Sequence, residues 1–511
     1  MLIGAGHASG AGPETIVNLG SPQAAIIGAG VGGLASGIRL RLQGYEVDIF
    51  EAHDRPGGKV NELRRNGFRF DAGPSLFTLP DQVDELFRLA GRRPEEYFQY
   101  EALEVITRYF YPDGTVLNAF RDVEAFATEI EEKTGESRER VLRFLQKSRE
   151  LYDITSDVFL NRSLHKLSTY IAPETLRAYL KLHKLDAFRT MDQANRAYFQ
   201  DPRVVQLFNR YATYNGSDPY QAPATLNIIP HLEHNIGAYF PRGGMYAVTE
   251  SLTRLAGELG VRLHLGSPVR EILTERGQVT GLRLDWGSFP AEVVVSNADI
   301  VPTYRRLMPS LPAPERTLRQ PRSSSALIFY WGINRSFPEL DLHNIFFSGD
   351  YPGEFRQMWD GHLISHDPTV YLYISSKHHP EDAPPGAENW FVMVNAPSDK
   401  GQNWDQLIRQ ARQDILRKLS TQLGVDIEPH VVSEDILDPR LIESRTSSHQ
   451  GALYGNSSNN RFAAFLRHPN FSRRVEGLYF AGGSVHPGGG IPLCLLSARI
   501  VGDLVEREGV R

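Results

Sequence analysis

Gln23-Ala24-Ala25-Ile26-Ile27-Gly28-Ala29-Gly30-Val31-Gly32-Gly33-Leu34-Ala35-Ser36-Gly37-Ile38 is the stretch that decides the fold. An apolar run ends in spaced glycines and passes into a helix-forming segment. The spacing Gly28-x-Gly30-x-x-Gly33 suits a strand–turn–helix that meets a pyrophosphate. Gly28 permits the tight turn, Gly30 lets the backbone approach the phosphates, and Gly33 lets the helix pack on the strand. The helix N-terminus adds N–H donors and the positive end of its dipole. Ala29 and Gly32 belong to the same loop. The spacing also occurs in plain structural turns, so its surroundings matter. Leu34 to Leu42 reads as the helix, Gly44 as its stop, and Glu46 to Phe50 as a second strand. Glu51 closes that strand, where a carboxylate accepts the ribose hydroxyls. This is one parallel βαβ half of a dinucleotide-binding domain.

The loop after Glu51 reads His53-Asp54-Arg55-Pro56-Gly57-Gly58-Lys59. A glycine pair followed by a cation is the habit of FAD-binding chains, because the loop runs back along the ribose and pyrophosphate. Lys59 offers a charge contact there; the competing reading is a solvated loop lysine. Far downstream, Gly477-Leu478-Tyr479-Phe480-Ala481-Gly482-Gly483 is an apolar strand ending in glycines. Such a segment is needed where a second piece of backbone meets a ribityl chain, and an NAD enzyme has no need of it. The expectation is one bound FAD and no second dinucleotide.

The chain has 511 residues, 41% of them hydrophobic and 10% aromatic, enough for a large core of two or three domains. A net charge of -6 and a pI near 6.3 argue against nucleic-acid binding. The single cysteine, Cys494, excludes an internal disulfide and a clustered zinc site. It sits in an apolar run and reads as a small buried hydrophobe. No run of about 18 apolar residues suggests a membrane-crossing helix.

Residues 1–20 read as a disordered tail. Segments 21–90, 238–305 and 440–511 are expected to assemble a discontinuous FAD-binding domain. Segments 91–122 and 306–439 carry strand signals and are expected to form a substrate domain, with a hairpin around Pro112-Asp113-Gly114. Residues 123–237 read as a helical cap. Within it, Leu176, Tyr179, Leu180 and Leu182 alternate with Arg177, Lys181, His183 and Lys184. That mixture suits a face lying on a membrane, or an ordinary cap helix with a solvated side.

Further motifs are Phe70-Asp71-Ala72-Gly73-Pro74-Ser75, Pro241-Arg242-Gly243-Gly244-Met245 and His486-Pro487-Gly488-Gly489-Gly490-Ile491-Pro492. Together with the glycine loops, they resemble the bacterial carotenoid desaturase (phytoene desaturase) family from about residue 22 to 508. The last motif, running into Leu493-Cys494-Leu495-Leu496-Ser497-Ala498, resembles most the 1-hydroxycarotenoid 3,4-desaturase branch. The resemblance implies an α/β flavoprotein with a Rossmann-type FAD-binding domain, a β-rich substrate domain and a helical cap. It implies that Gly28, Gly30, Gly33, Glu51, Gly58 and Lys59 hold the adenosine and pyrophosphate, with Val269 beside the adenine. It places Gly483, Ser484, Ile491 and Pro492 along the ribityl chain and flavin ring. Many related flavoproteins carry an Asp where Gly483 or Ser484 stands, so the ribityl partner is left open.

The resemblance also implies an acyclic carotenoid substrate drawn from a membrane, with the protein on the cytoplasmic face of the cell membrane. FAD is the sole redox cofactor, reoxidised by a quinone or oxygen. The flavin carries the chemistry, so no catalytic side chain is required; His486 is the best candidate for handling a proton near neutral pH. Glu233 and His234 read as polar surface. Phytoene desaturation, carotenoid oxygenation or isomerisation, amine oxidation and a prenyl-binding escort role without redox chemistry stay open as alternatives.

Overall fold

The computed structural model describes residues 21–156, 160, 162–166, 169, 185–460 and 467–509. The basic and apolar residues between 176 and 184, and the tail 1–20, lie outside the described residues. Strand β1 (Gln23–Ile27), helix α1 (Val31–Leu42) and strand β2 (Glu46–Phe50) form the opening unit. Strands β3 (Arg262–His264), β4 (Val293–Ser296) and β5 (Leu478–Phe480) complete a parallel sheet in the order β3-β2-β1-β4-β5. That is the strand order of doubly wound dinucleotide-binding sheets. Its strands come from four distant parts of the chain.

Alternation explains why both faces of this sheet are covered. Ala24, Ile26, Val47 and Ile49 pack with Leu34, Ala35 and Ile38 of α1. The same cluster includes Leu495, Ala498 and Val501 of α2 (Ile491–Glu508). The intervening residues Ala25, Ile27 and Phe50 face Ile272, Val279 and Leu282, from an antiparallel three-stranded sheet. Gly37 lets α1 approach β2: a Cβ there would lie 3.0 Å from the Ile49 side chain.

A second, seven-stranded sheet is built around Ser325–Ile333, whose nine residues are all buried. It pairs with Glu388–Ala396 on one side and Val431–Leu437 on the other. The sheet continues through Val370–Tyr373, His343–Phe346, Val105–Phe110 and Val116–Phe120. Leu327, Phe329, Trp331 and Ile333 face the amphipathic helix Trp404–Leu423 through Ala411, Ile415 and Leu419. Ala326, Ile328 and Tyr330 face the other way, towards Phe126, Phe144, Val204 and Phe208 of the helical segment.

The two sheets are tied by Asp71. One of its oxygens accepts from Met245 N at 2.9 Å and Arg69 Nη2 at 2.8 Å; the other accepts from the Tyr373 hydroxyl at 2.7 Å. Among the described residues no helix is long and apolar enough to cross a membrane.

Candidate active site

The glycine loop is closed by contacts that leave little room for side chains. Gly28 has φ +92°, open to glycine and strained for other residues. A Cβ on Gly33 would lie 2.0 Å from the Gly28 carbonyl oxygen. A Cβ on Gly30 would lie 2.9 Å from Asn297 Nδ2, and one on Gly32 2.6 Å from Asn297 Oδ1. Asn297 thus wedges between the first glycine loop and Gly482, whose own Cβ would lie 2.7 Å from the same oxygen. Sequence reasoning missed Asn297. Its only signal is a polar residue directly after the buried apolar strand β4.

Glu51 is buried, with one oxygen accepting from Ala29 N at 2.8 Å and the other from His53 N at 3.0 Å. The loop after β3 is zipped to it, Ser267 N donating to the Glu51 carbonyl and Gly266 N to His53 O. Val269, two residues beyond Ser267, is half-buried and packs against the cluster that holds Phe50. Helix α1 starts at Gly30 with no side-chain cap and no acidic residue in its first turn. Helix α2 starts at Gly490 in the same way. Two helix N-termini without a side-chain anion suit a ligand with a phosphate group and a second electron-rich end. The site therefore fits FAD, which Gly28 to Gly33 and Glu51 could hold at the pyrophosphate and ribose and Gly483, Ser484, Ile491 and Pro492 further along. Ser484 Oγ accepts from Ile300 N at 3.0 Å.

Two expected roles change. His486 is buried, and its Nε2 donates to the Arg162 carbonyl at 2.9 Å. Burial pushes its pKa down to about 3. Pro487 and Gly489 line the neighbouring cavity; His486 does not. A neutral imidazole turned to a backbone carbonyl is not placed to take a proton from a ligand in that cavity. Lys59 is half-buried: its ammonium donates to the Leu453 carbonyl at 2.9 Å, the residue lines the cavity, and burial lowers its pKa.

That cavity has a volume of about 1070 Å³, at the top of the range of about 300–1,000 Å³ typical of small-molecule sites. Its floor is the inner face of the seven-stranded sheet, through Ile328, Ile345, Phe391 and Met393; Leu226, Ile229 and Leu232 cover it. Gly58, Lys59, Gly489 and Pro492 line it too, so the apolar space opens onto the cofactor segments.

One wall is polar, and it overturns the reading of Glu233 and His234 as surface. They are 1% and 2% exposed. Glu233 pairs with Arg210 at 3.3 Å and accepts from Tyr211 and Tyr214 at 2.9 and 2.6 Å. His234 Nε2 meets the Tyr211 hydroxyl at 2.7 Å, and burial pushes its pKa to about 4. Cys494 packs against apolar neighbours, and burial raises its thiol to about 11.

Comparison with known proteins agrees with this architecture. A family model described as flavin containing amine oxidoreductase matches residues 31–505. A 1-hydroxycarotenoid 3,4-desaturase of Flavobacterium sp. (strain P99-3) is 49% identical over 94% of this chain and 99% of its own. A 4,4'-diapolycopene oxygenase of Methylomonas sp is 34% identical over 94% and 98%. Among solved structures, a putrescine oxidase shares the fold at TM-score 0.59 and 17% identity, covering 96% of this chain and 98% of that one. An oxidoreductase from Methanosarcina mazei does so at 0.59 and 16%, covering 95% and 100%. The glycine loops, the mixed α/β architecture and these matches lead to one conclusion: the chain belongs to the flavin-containing amine oxidoreductase family, and its cofactor is FAD.

Proposed function

We propose that the protein is an FAD-dependent desaturase of acyclic carotenoids, acting on one hydroxylated at C1 and introducing a double bond between C3 and C4. The observation that carries this reading is the large apolar cavity that opens onto the cofactor segments and contains no uncompensated buried anion. Among the described residues lining it, Glu233 is the one buried carboxylate, and Arg210 neutralises it. An alkylammonium substrate would find no free buried counter-charge there. A long hydrocarbon would gain about 0.8 kcal/mol for each methylene buried. The 49% identity to a 1-hydroxycarotenoid 3,4-desaturase, against 34% to an oxygenase, supports desaturation over oxygen insertion.

FAD, when bound, supplies the hydride acceptor. The protein's share is to hold the polyene against it and to exclude water, which the aliphatic floor and cover do. Hydride loss beside a conjugated chain would leave a delocalised cation, and loss of the neighbouring proton to water at the exposed His53 to Arg55 end of the cavity would complete the double bond. The delocalisation removes the need for a strong base, consistent with a cavity whose one buried carboxylate, Glu233, is already paired with Arg210. We place the protein at the inner face of the cell membrane, from which the carotenoid is drawn, with a quinone or oxygen taking the electrons.

The test is product analysis with liposomes carrying phytoene, lycopene or a 1-hydroxylated acyclic carotenoid. The expected result is a product of the hydroxylated compound two hydrogens lighter, formed without NAD. Rapid turnover of phytoene with none of the hydroxylated carotenoid would refute the substrate assignment. An oxygen-containing product would refute desaturation.

A further inference from the structure

The polar wall of the cavity holds buried atoms whose bonding is incomplete. His343 Nε2, Arg210 Nε and the Tyr351 hydroxyl have no hydrogen-bond partner among the described residues. All three residues line the cavity and are 1%, 5% and 4% exposed. Buried polar groups are normally satisfied, because leaving one unmade forfeits its hydration without return. Three in the lining of one largely apolar cavity, with the Tyr330 hydroxyl a fourth, point to a ligand that brings the missing atom.

The wall also fixes what kind of atom it is. His343 stands on the strand His343–Phe346, opposite Tyr373, on the sheet face that looks into the cavity. Its Nδ1 bonds the Tyr371 hydroxyl at 2.8 Å, and that hydroxyl also meets Ser75 Oγ at 2.7 Å. The ring is thereby held with Nε2 free. Burial pushes the pKa of His343 to about 3, so the ring is neutral at ordinary pH. Arg210 is neutralised by Glu233, whose two oxygens are taken up by Arg210, Tyr211 and Tyr214. The patch therefore carries no net charge. An anion or a cation would enter it without compensation, whereas a hydroxyl both donates and accepts and satisfies either tautomer of the imidazole.

We propose that His343, with Tyr351 and Arg210 of the same cavity lining, is the subsite that hydrogen-bonds a hydroxyl on the substrate and so selects hydroxylated carotenoids over their parent hydrocarbons. The proposal rests on the carotenoid reading above and names the residues that give it specificity. Discrimination follows from asymmetry: a substrate lacking the hydroxyl leaves the buried nitrogen unpaired, and sites built this way reject such analogues strongly. His343 is a positioning residue; it does not take part in the redox step.

The experiment compares kcat/KM for a 1-hydroxylated acyclic carotenoid and its unhydroxylated parent, offered in liposomes to the FAD-loaded enzyme. His343→Asn keeps an amide where Nδ1 stood and removes Nε2. His343→Gln places an amide near the position of Nε2. Tyr351→Phe removes one unpartnered hydroxyl and leaves the ring packing intact. The expected result is a preference for the hydroxylated compound that falls by about tenfold to a hundredfold in His343→Asn, as for a lost hydrogen bond to a buried group. It returns in part in His343→Gln and falls by a smaller factor in Tyr351→Phe. A preference unchanged in both His343→Asn and Tyr351→Phe overturns the subsite while leaving carotenoid desaturation standing. A wild-type enzyme that converts neither carotenoid overturns the functional reading, and this subsite with it.

Discussion

Replacing Gly30 by valine separates cofactor binding from folding. A Cβ at this position meets Asn297 Nδ2 at 2.9 Å and is otherwise open, the next atom being the Gly57 carbonyl oxygen at 3.9 Å. The Asn297 amide makes only a long contact to Gly28 O, at 3.5 Å, so it can yield a few tenths of an ångström. Gly30 lies at φ −69° and ψ 169°, extended backbone open to any residue. The fold should therefore absorb the change at a cost of about 1 kcal/mol. The cofactor should not. A side chain on the loop keeps a pyrophosphate from the N–H groups at the start of α1. Two charge-assisted hydrogen bonds at about 1.5–3 kcal/mol each weaken FAD binding by about 10²- to 10⁴-fold when lost. The assay is titration of apo-protein with FAD, with flavin content of the purified protein and the thermal midpoint of the apo form alongside. Two controls fix the interpretation. Gly33→Ala, whose Cβ would sit 2.0 Å from the Gly28 carbonyl oxygen, should impair the fold itself. Adding Asn297→Ala to Gly30→Val should restore little affinity if the phosphates are what the side chain displaces. A Gly30→Val protein that is folded and binds FAD as tightly as wild type would refute the placement of the pyrophosphate.

Breaking the buried Arg210–Glu233 pair from one side, by Glu233→Leu or Arg210→Met, should cost about 3–5 kcal/mol because it strands a buried charge; the double replacement should recover part of the loss, read as the thermal midpoint. The four histidines His234, His343, His468 and His486 have folded pKa values pushed by burial to about 4, 3, 4 and 3. An unfolded histidine titrates near 6.5, so folding favours their neutral forms. Their contribution is complete above about pH 6.5 and is lost as pH falls towards 4 and below, by at most about 1.4 kcal/mol per pH unit for each. The thermal midpoint should fall with pH in that window, and His486→Gln should flatten the slope without removing any limb of the activity profile between pH 6 and 8. A limb near neutrality that disappears in His486→Gln would restore a proton-handling role to that residue.

The glycine loop, the strand ending at Glu51, the hairpin near Pro112 and the amphipathic helix that Leu407, Ile408, Ala411, Ile415, Leu419 and Leu423 mark out between Asp405 and Leu423 were legible from the sequence alone. Each is a local device. Positive φ at Gly28, alternation in β1 and the 3.6-residue period of the long helix act over a few residues, and the pattern that encodes them is contiguous. FAD as cofactor was legible for the same reason, because its two glycine segments each carry their own signature. The polar wall was not. Arg210, Glu233, His343 and Tyr351 come from separate turns, strands and helices, and nothing in the sequence near any of them marks the others. Glu233 and His234 look like surface residues until the seven-stranded sheet and the helical segment close over them. Asn297 acquires its role only because β4 ends between two glycine loops that are far apart in the chain. His486 sits in the most distinctive motif of the sequence, yet its ring turns to the Arg162 carbonyl and away from the cavity. A motif places a residue near a site; which way its side chain points, and whether burial holds it neutral, depends on what the rest of the chain packs around it.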